Sequence, residues 1–367
     1  MRPRSSALTI AAVAVVAALV PAATGCASSS PERGADRPPR TARLFAPDSV
    51  WNAALSSDAP LDPSSDARVG ALVDEVADEV RRGVGPWISE SHYSTPLYVV
   101  RGAQRRVRVK LDAGSWADSL RGALAAGVPI PRGARPADGS DGHLTIHQPS
   151  TDTMWEFWRA VKRPDGWHAS WGGVMRRVSQ SPGYYTDAAA LGLKPQEGWN
   201  WGSTATSLPV IGGTILSEEL RRGRLDHALA LSVRDACARI FTWPAQRTDG
   251  GLRGDDCLPE GAHLRLDPSL DVGALDLPPI TRILAEAAQR YGIIVRDVTH
   301  TAVGFYAEDP TPTGRQPYTG TGGLYGGLEP WEFLPRFPWK HLQLLRMYLC
   351  AKAPCEPPAE RRRRAGR

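Results

Sequence analysis

Two imidazoles and a carboxylate lie close together in this chain, at His143, His147 and Glu156. Imidazole and carboxylate groups are the side chains that most often move protons in enzymes. A four-residue spacing brings two histidines to one metal on a helix, but separates them by about 13 Å on a strand. The surrounding residues alternate between apolar and polar, which favours a strand. We therefore expect acid–base chemistry here and no metal site.

The register of this region follows from its turns. Residues 141–171 read DGHLTIHQPSTDTMWEFWRAVKRPDGWHASW, with turn residues at 149–152 and 163–166. Pairing Gln148 with Thr153 places Thr145 opposite Glu156, and pairing Lys162 with Trp167 extends the register to a third strand. Opposed residues of an antiparallel pair share a face. One face then carries His143, Thr145, His147, Glu156, Trp158 and Trp171, while Leu144, Ile146, Trp155 and Phe157 form the core face. We expect the polar face to line a groove.

Two reactions fit such a face. A glycosidase needs two carboxylates, and only Glu156 is secure, with Asp141 or Asp152 as weaker partners. A polysaccharide lyase needs a histidine or tyrosine as base and a cation for the uronate carboxylate. His143, His147, Tyr184, Tyr185 and nearby arginines could supply these groups. His227, which follows Asp226, is a further candidate. The alternative is structural: hydrogen-bonded histidines and a Glu156 paired with Arg159, Arg176 or Arg177.

Aromatic residues near this region could stack on sugar rings, whose faces are apolar and whose rims are polar. Packing in the core is the alternative for each of them. The candidates are Trp158, Trp171, Trp199, Trp201, Tyr184 and Tyr185.

Many short strands with turn signals predict a mainly β fold with peripheral helices, an antiparallel sandwich or barrel of the jelly-roll kind. We expect helices from Ser65 to Gly83 and from Pro278 to Gly292, because each carries an apolar stripe that ends at glycine. Residues 293–295 and 303–306 suggest a hairpin, and Trp339, Leu342, Leu345 and Leu349 suggest a final helix.

The chain ends predict export. Residues 1–25 have a charged start and an apolar run, as in a secretion signal, and Ala23-Thr24-Gly25-Cys26 resembles a bacterial lipobox. Lipidation of Cys26 would anchor the protein at the extracytoplasmic face of the cell membrane. An ordinary signal peptide with an incidental cysteine is the alternative. We expect a tether at 26–43, one globular domain at 44–355 and a disordered basic tail at 356–367.

The other cysteines predict two disulfides, Cys237–Cys257 and Cys350–Cys355, because an even number in an exported protein favours pairing. The net charge of +5 comes from arginines near the two ends, so the rest of the chain is near neutral. Binding of nucleic acid needs a basic face and is therefore not expected. No motif predicts a cofactor.

Several segments resemble an uncharacterised family of large, exported bacterial proteins. The resemblance spans about residues 44–307 and includes FAPDSVWN (45–52), DGHLTIH (141–147), WEFW (155–158), SLPVIGG (207–213), DHAL (226–229), WPA (243–245), HLRLDP (263–268) and AQRYGIIVRD (288–297). It implies a single secreted domain and no particular activity, and it matches His143, Glu156 and His227. We expect recognition of an envelope or environmental polysaccharide, with catalysis left open. A non-catalytic scaffolding role in envelope assembly is the alternative.

Overall fold

The computed structural model describes residues 44–112, 114, 117–185 and 201–360. These residues form a mainly β, sandwich-like α+β fold with sixteen strands in four mixed sheets. The predicted fold class is therefore confirmed, although every sheet contains parallel as well as antiparallel pairs. Within the described ranges no sheet closes on itself, so the barrel alternative was wrong. No helix among the described residues is long and apolar enough to span a membrane.

The largest sheet has six strands in the order β1-β14-β9-β13-β12-β15. Its strands are β1 (Trp87–Ser89), β9 (Leu229–Val233), β12 (His263–Leu266), β13 (Ile293–Val298), β14 (Gly304–Tyr306) and β15 (Leu342–Leu344). Helices α1 (Ser65–Arg82) and α4 (Pro279–Arg290) bury their apolar stripes in the same core as this sheet. Both helices end where the sequence predicts, and Gly83 and Gly292 adopt the left-handed backbone that glycine tolerates.

A four-stranded sheet contains the region predicted from residues 141–171. Its order is β2 (Leu97–Val99), β4 (Leu144–Gln148), β5 (Thr153–Trp158) and β8 (Trp171–Arg176). Thr145 pairs with Glu156 and Trp158 with Trp171, so the predicted register is confirmed. Strands β6 (Val161–Arg163) and β7 (Gly166–Ala169) pair Lys162 with Trp167 as expected, but they join β3 (Val109–Leu111) in a separate sheet.

The fourth sheet is small and carries the disulfides. It contains β10 (Ala236–Thr242), β11 (Leu258–Glu260) and β16 (Leu349–Cys350) in the order β11-β10-β16. Both predicted bridges, Cys237–Cys257 and Cys350–Cys355, are present. The remaining helices are short: α2 (Asp118–Leu124), α3 (Ser217–Arg221) and α5 (Pro330–Phe333).

Two predicted elements were wrong. Strands β13 and β14 do not form a hairpin, because β9 lies between them and pairs with both. The predicted final helix is instead a short 3-10 turn, Trp339–His341, followed by β15 and β16. Strand β15 pairs with β12, and a buried sheet position for Leu342 and Leu344 outweighs their helical spacing.

Candidate functional site

The polar face of β4 and β5 is covered rather than open. His143, Thr145, His147 and Glu156 are all buried, and Glu156 is 0% exposed. The expected groove along this face was therefore wrong. Residues 201–213, which we call the covering segment, lie over Glu156 and exclude solvent from it. Sequence periodicity identified the face, but it carried no information about a segment from elsewhere in the chain.

Glu156 holds the covering segment in place. The backbone N–H of Ser203 donates to Oε1 at 2.7 Å, and that of Val210 donates to Oε2 at 3.0 Å. Burial raises the pKa of Glu156 to about 7, although these two donors act in the opposite direction. Both carboxylate oxygens are thus occupied by backbone donors. The catalytic role predicted for Glu156 stays a prediction.

Two of the three predicted histidines, His147 and His227, are buried and do not contact Glu156. His147 lies opposite Met154, and burial lowers its pKa. His227 contacts Glu219, with 3.0 Å between Nε2 and Oε2, and its Nδ1 lies 2.8 Å from the carbonyl oxygen of Ala228. Burial lowers the pKa of His227, but the Glu219 carboxylate outweighs burial and the net shift is upward. These surroundings fit a structural ion pair at His227.

The open end of the polar face lies at Asp141. The indole nitrogen of Trp158 donates to Asp141 Oδ1 at 3.0 Å, and the Arg159 guanidinium lies 4.3 Å from the centre of the Trp158 ring. His143 Nε2 is 4.0 Å from Asp141 Oδ2. Burial lowers the pKa of His143 to about 4, although the Asp141 carboxylate opposes this, so the ring is neutral at pH 7. Asp141 and Trp158 are partly exposed, which leaves one edge of this end open to solvent.

The predicted aromatic residues divide into two groups. Trp158 lies at Asp141, and Trp171 is buried opposite it. Tyr184, Tyr185 and Trp201 line a separate cavity. Trp199 and the predicted lipidation site Cys26 lie outside the described residues.

Sequence reasoning missed three carboxylates that the fold brings together. Asp249 lies in the loop after β10, Glu260 ends β11, and Asp297 lies on β13. Ligand-capable oxygens of the three side chains lie within 4.8 Å of one another. Glu260 is buried, Asp297 is half-buried and Asp249 is exposed, so this carboxylate cluster extends from the interior to the surface.

Local backbone packing positions the cluster. Gly250 follows Asp249 and lies so close to the carbonyl groups of Ala236 and Cys237 on β10 that a side chain has no room. Gly261 follows Glu260, has φ +87° and packs against the carbonyl of Thr242. Its N–H donates to Val295 at 2.8 Å, which ties β11 to β13. These contacts hold the three carboxylates on adjacent elements.

Burial raises the pKa of all three carboxyl groups, and repulsion between members adds to this effect at Asp297 and Glu260. Burial is the largest cause in each case. The pKa of Asp297 rises to about 7, with Asp249 and Asp141 adding to the effect and Arg296 opposing it. The pKa of Glu260 is raised well above its ordinary value by burial and by Asp297 and Asp249. Carboxylates with pKa values shifted towards neutrality mark candidate catalytic groups.

The cluster and the open end of the polar face form one electrostatic site. Asp141, which precedes β4, raises the pKa of Asp297 on β13, so the two carboxyl groups interact electrostatically. Arg247 interacts with Asp249, Asp297 and Glu260, and its guanidinium donates to the Thr204 carbonyl at 2.8 Å. The sequence did contain signals: Asp297 lies two residues after the apolar run 293–295, and Asp249 is followed directly by two glycines. Nothing in their spacing showed that they meet.

The same three carboxylates could hold a divalent cation. Hard oxygen ligands suit Ca²⁺ or Mg²⁺, and oxygens this close can share one ion. Arg247 and Arg296 already lie close enough to interact electrostatically with the cluster, and they compensate part of its charge. Without a bound ion, the three carboxyl groups can still transfer protons, because they differ in their exposure to solvent.

No family model, curated protein or solved structure matches this chain.

Proposed function

We propose that the protein hydrolyses glycosidic bonds of an envelope or environmental polysaccharide, and that the carboxylate cluster is its active site. The observation that carries this proposal is the meeting of Asp249, Glu260 and Asp297. Asp297 also interacts electrostatically with Asp141, the hydrogen-bond partner of the partly exposed Trp158. Glycoside hydrolysis of the common kind needs two carboxyl groups, one protonated and one ionised. The cluster offers carboxyl groups of graded burial, and unequal burial separates their pKa values.

Asp297 is assigned the role of general acid. Its pKa of about 7 keeps a substantial fraction protonated near neutral pH, so it can donate a proton to the leaving-group oxygen. Asp249 is the most exposed member, and the carboxylate oxygens of the cluster lie within 4.8 Å of one another, so Asp249 attacks the anomeric carbon as the leaving group departs. Water, deprotonated by Asp297, then releases the sugar from Asp249. Glu260 is buried, which raises its pKa, and its Oε2 accepts a hydrogen bond from the Asp249 N–H at 3.1 Å.

Trp158 and Asp141 are assigned to sugar binding. The Trp158 ring is only partly buried, and the Asp141 carboxylate, 3.0 Å from its indole nitrogen, can accept hydrogen bonds from sugar hydroxyls. A sugar ring placed on the indole gains contact with an apolar surface while its rim stays hydrogen-bonded. This arrangement would present one glycosidic bond to Asp297 and Asp249.

Export and anchoring through Cys26 belong to the same proposal. The two disulfides support a location outside the reducing cytosol. A membrane-anchored hydrolase at the extracytoplasmic face would meet polymers of the envelope and of the surroundings.

The proposal is tested by depolymerisation. The purified protein is incubated with soluble glucan, galactan, arabinan and polygalacturonate, and new reducing ends are counted. We expect cleavage of at least one polymer, with Asp249→Asn and Asp297→Asn each lowering kcat at least ~100-fold, the lower range for losing an acid or base. Asp256→Asn changes an exposed aspartate of the same β10–β11 loop and should leave kcat unchanged.

Three outcomes separate the alternatives. Products that absorb ultraviolet light as unsaturated sugars would indicate a lyase instead. Activity that disappears with EDTA and returns with Ca²⁺ would make the cluster a metal site rather than an acid–base pair. Absence of cleavage on every polymer, with the protein folded by circular dichroism, would favour the scaffolding alternative.

A further inference from the structure

A second concave site lies apart from the carboxylate cluster. It is a cavity of about 850 Å³, a volume typical of small-molecule sites. Its walls come from residues 46–55, 174–185, 242–243 and 345–360, together with Trp201 and His263. The described residues that line this cavity do not include Asp249, Glu260 or Asp297. A ligand bound here would therefore not contact the carboxylate cluster.

Aromatic side chains form much of the wall of this cavity. They are Tyr184, Tyr185, Trp201, Trp243 and Tyr348. The Tyr185 hydroxyl and the Trp201 indole nitrogen are buried and have no hydrogen-bond partner among the described residues. Because solvent reaches neither atom, these two side chains contribute to the wall through their rings and not through hydrogen bonds to a ligand. Tyr348 is 41% exposed and lies at the rim.

The charged side chains of the cavity favour an anion. Arg176, Arg177 and Arg346 line it and are exposed, against two carboxylates, Asp48 and Glu360. None of the three arginines forms an ion pair with a described residue. Burial lowers the pKa of His263 to about 4, so this residue adds no charge at pH 7. The excess of guanidinium groups suits a carboxylate ligand, which arginine binds through two hydrogen bonds.

We propose that this cavity binds a short acidic oligosaccharide that carries uronic acid residues. The exposed Tyr348 ring and the partly exposed Trp243 ring take the apolar faces of the sugar rings, and the exposed arginines take a uronate carboxylate. The inference deepens the proposed function by naming an acidic polymer, but binding here does not require hydrolysis at the carboxylate cluster. The cavity thus serves to hold a chain while the cluster acts on another part of it.

Calorimetric titration of the full chain tests this inference. Trigalacturonic acid is compared with maltotriose, a neutral trisaccharide of the same length. We expect binding of the acidic trisaccharide alone, and a Kd that rises with salt concentration. The double variant Arg176→Ala/Arg177→Ala should raise the Kd at least tenfold, and Tyr348→Ala about fivefold. Arg105→Ala and Tyr93→Ala change exposed residues outside the cavity and should leave the Kd unchanged.

The outcomes also separate this inference from the proposed function. Asp249→Asn, which should abolish hydrolysis, should leave trigalacturonate binding intact. Binding by a protein that cleaves nothing would refute the hydrolase while supporting the cavity site. The inference would be overturned if the protein bound both trisaccharides equally well or bound neither. It would also be overturned if the arginine double variant had the Kd of the wild type. If the double variant does not fold, Arg346→Ala is measured in its place.

Discussion

The backbone N–H of Asp249 donates to the carboxylate of Glu260 at 3.1 Å, so the most exposed acid of the cluster is fixed to the most buried one. This contact joins the loop after β10 to the end of β11 and sets the distance between a surface carboxylate and an interior one.

Asp141→Asn should change the pH dependence of hydrolysis. The Asp141 carboxylate raises the pKa of Asp297, so its removal should lower that pKa. Because Asp297 must be protonated to act as the acid, the alkaline limb of kcat should move to lower pH, by up to about one unit. The measurement is kcat from pH 4 to 9. Asp256→Asn is the control, and an alkaline limb that stays in place would argue against Asp297 as the acid.

Asp297→Asn should alter how stability depends on pH. A carboxyl whose pKa is about 7 when folded binds its proton more tightly than in the unfolded chain. Its stabilising contribution is complete below its unfolded pKa of about 4 and is lost as pH rises through 7. The variant should therefore gain stability relative to the wild type between pH 4 and pH 8. Urea unfolding at both pH values measures this difference. A constant difference would contradict the assigned shift.

Trp158→Ala should weaken substrate binding more than it slows catalysis. Loss of a stacked ring should cost about 1 kcal/mol, which corresponds to a KM or Kd roughly fivefold higher. Trp331→Ala is the matched control, because Trp331 is a partly exposed tryptophan stacked on Trp87 rather than next to Asp141. Equal effects of the two substitutions would remove Trp158 from the sugar-binding surface.

Removal of the Cys237–Cys257 bridge should affect both stability and activity. The bridge closes a loop that contains Asp249, and the sequence separation of 20 predicts a loss of about 3 kcal/mol. The Cys350–Cys355 bridge, with a separation of 5, should contribute about 2 kcal/mol and have no effect on kcat. Double serine variants of each pair are compared by urea unfolding and by hydrolysis. Unchanged kcat in the first variant would show that the loop does not need the bridge to position Asp249.

Cys26→Ser should release the protein from the membrane. If Cys26 carries the lipid anchor, the variant should move from the membrane fraction into the medium of the producing cells, because a cleaved signal peptide alone leaves no anchor. Immunoblots of the two fractions measure this shift. Cys350→Ser is the control, because it also removes a cysteine but should stay in the membrane fraction. Full retention of Cys26→Ser in the membrane fraction would exclude lipidation of Cys26.

Local sequence signals were sufficient for the strand register. The alternation of residues 144–148 and 153–158 and the turn between them determined that Thr145 faces Glu156, since both signals act over a few residues. The same reasoning could not show that residues 201–213 cover this face. That contact depends on backbone donors about 50 residues further along the chain, at Ser203 and Val210.

Long-range pairing accounts for the other errors. The carboxylate cluster joins side chains from β11, β13 and the loop after β10, and no periodic pattern links these segments. The apolar spacing of Trp339, Leu342 and Leu345 fits a helix, yet β12 offers Leu342–Leu344 an open sheet edge. Burial in a sheet then decides the structure against a local preference.

The covering segment has a consequence for how the two sites communicate. Trp201 belongs to the cavity wall, while the Thr204 carbonyl accepts from Arg247 beside the carboxylate cluster. The cavity and the carboxylate cluster therefore both border one short stretch of backbone, which Glu156 fixes to the sheet. If an acidic chain in the cavity shifts that stretch, substrate affinity at the cluster changes by some factor. Thermodynamic reciprocity then requires that substrate change the affinity of the cavity by the same factor.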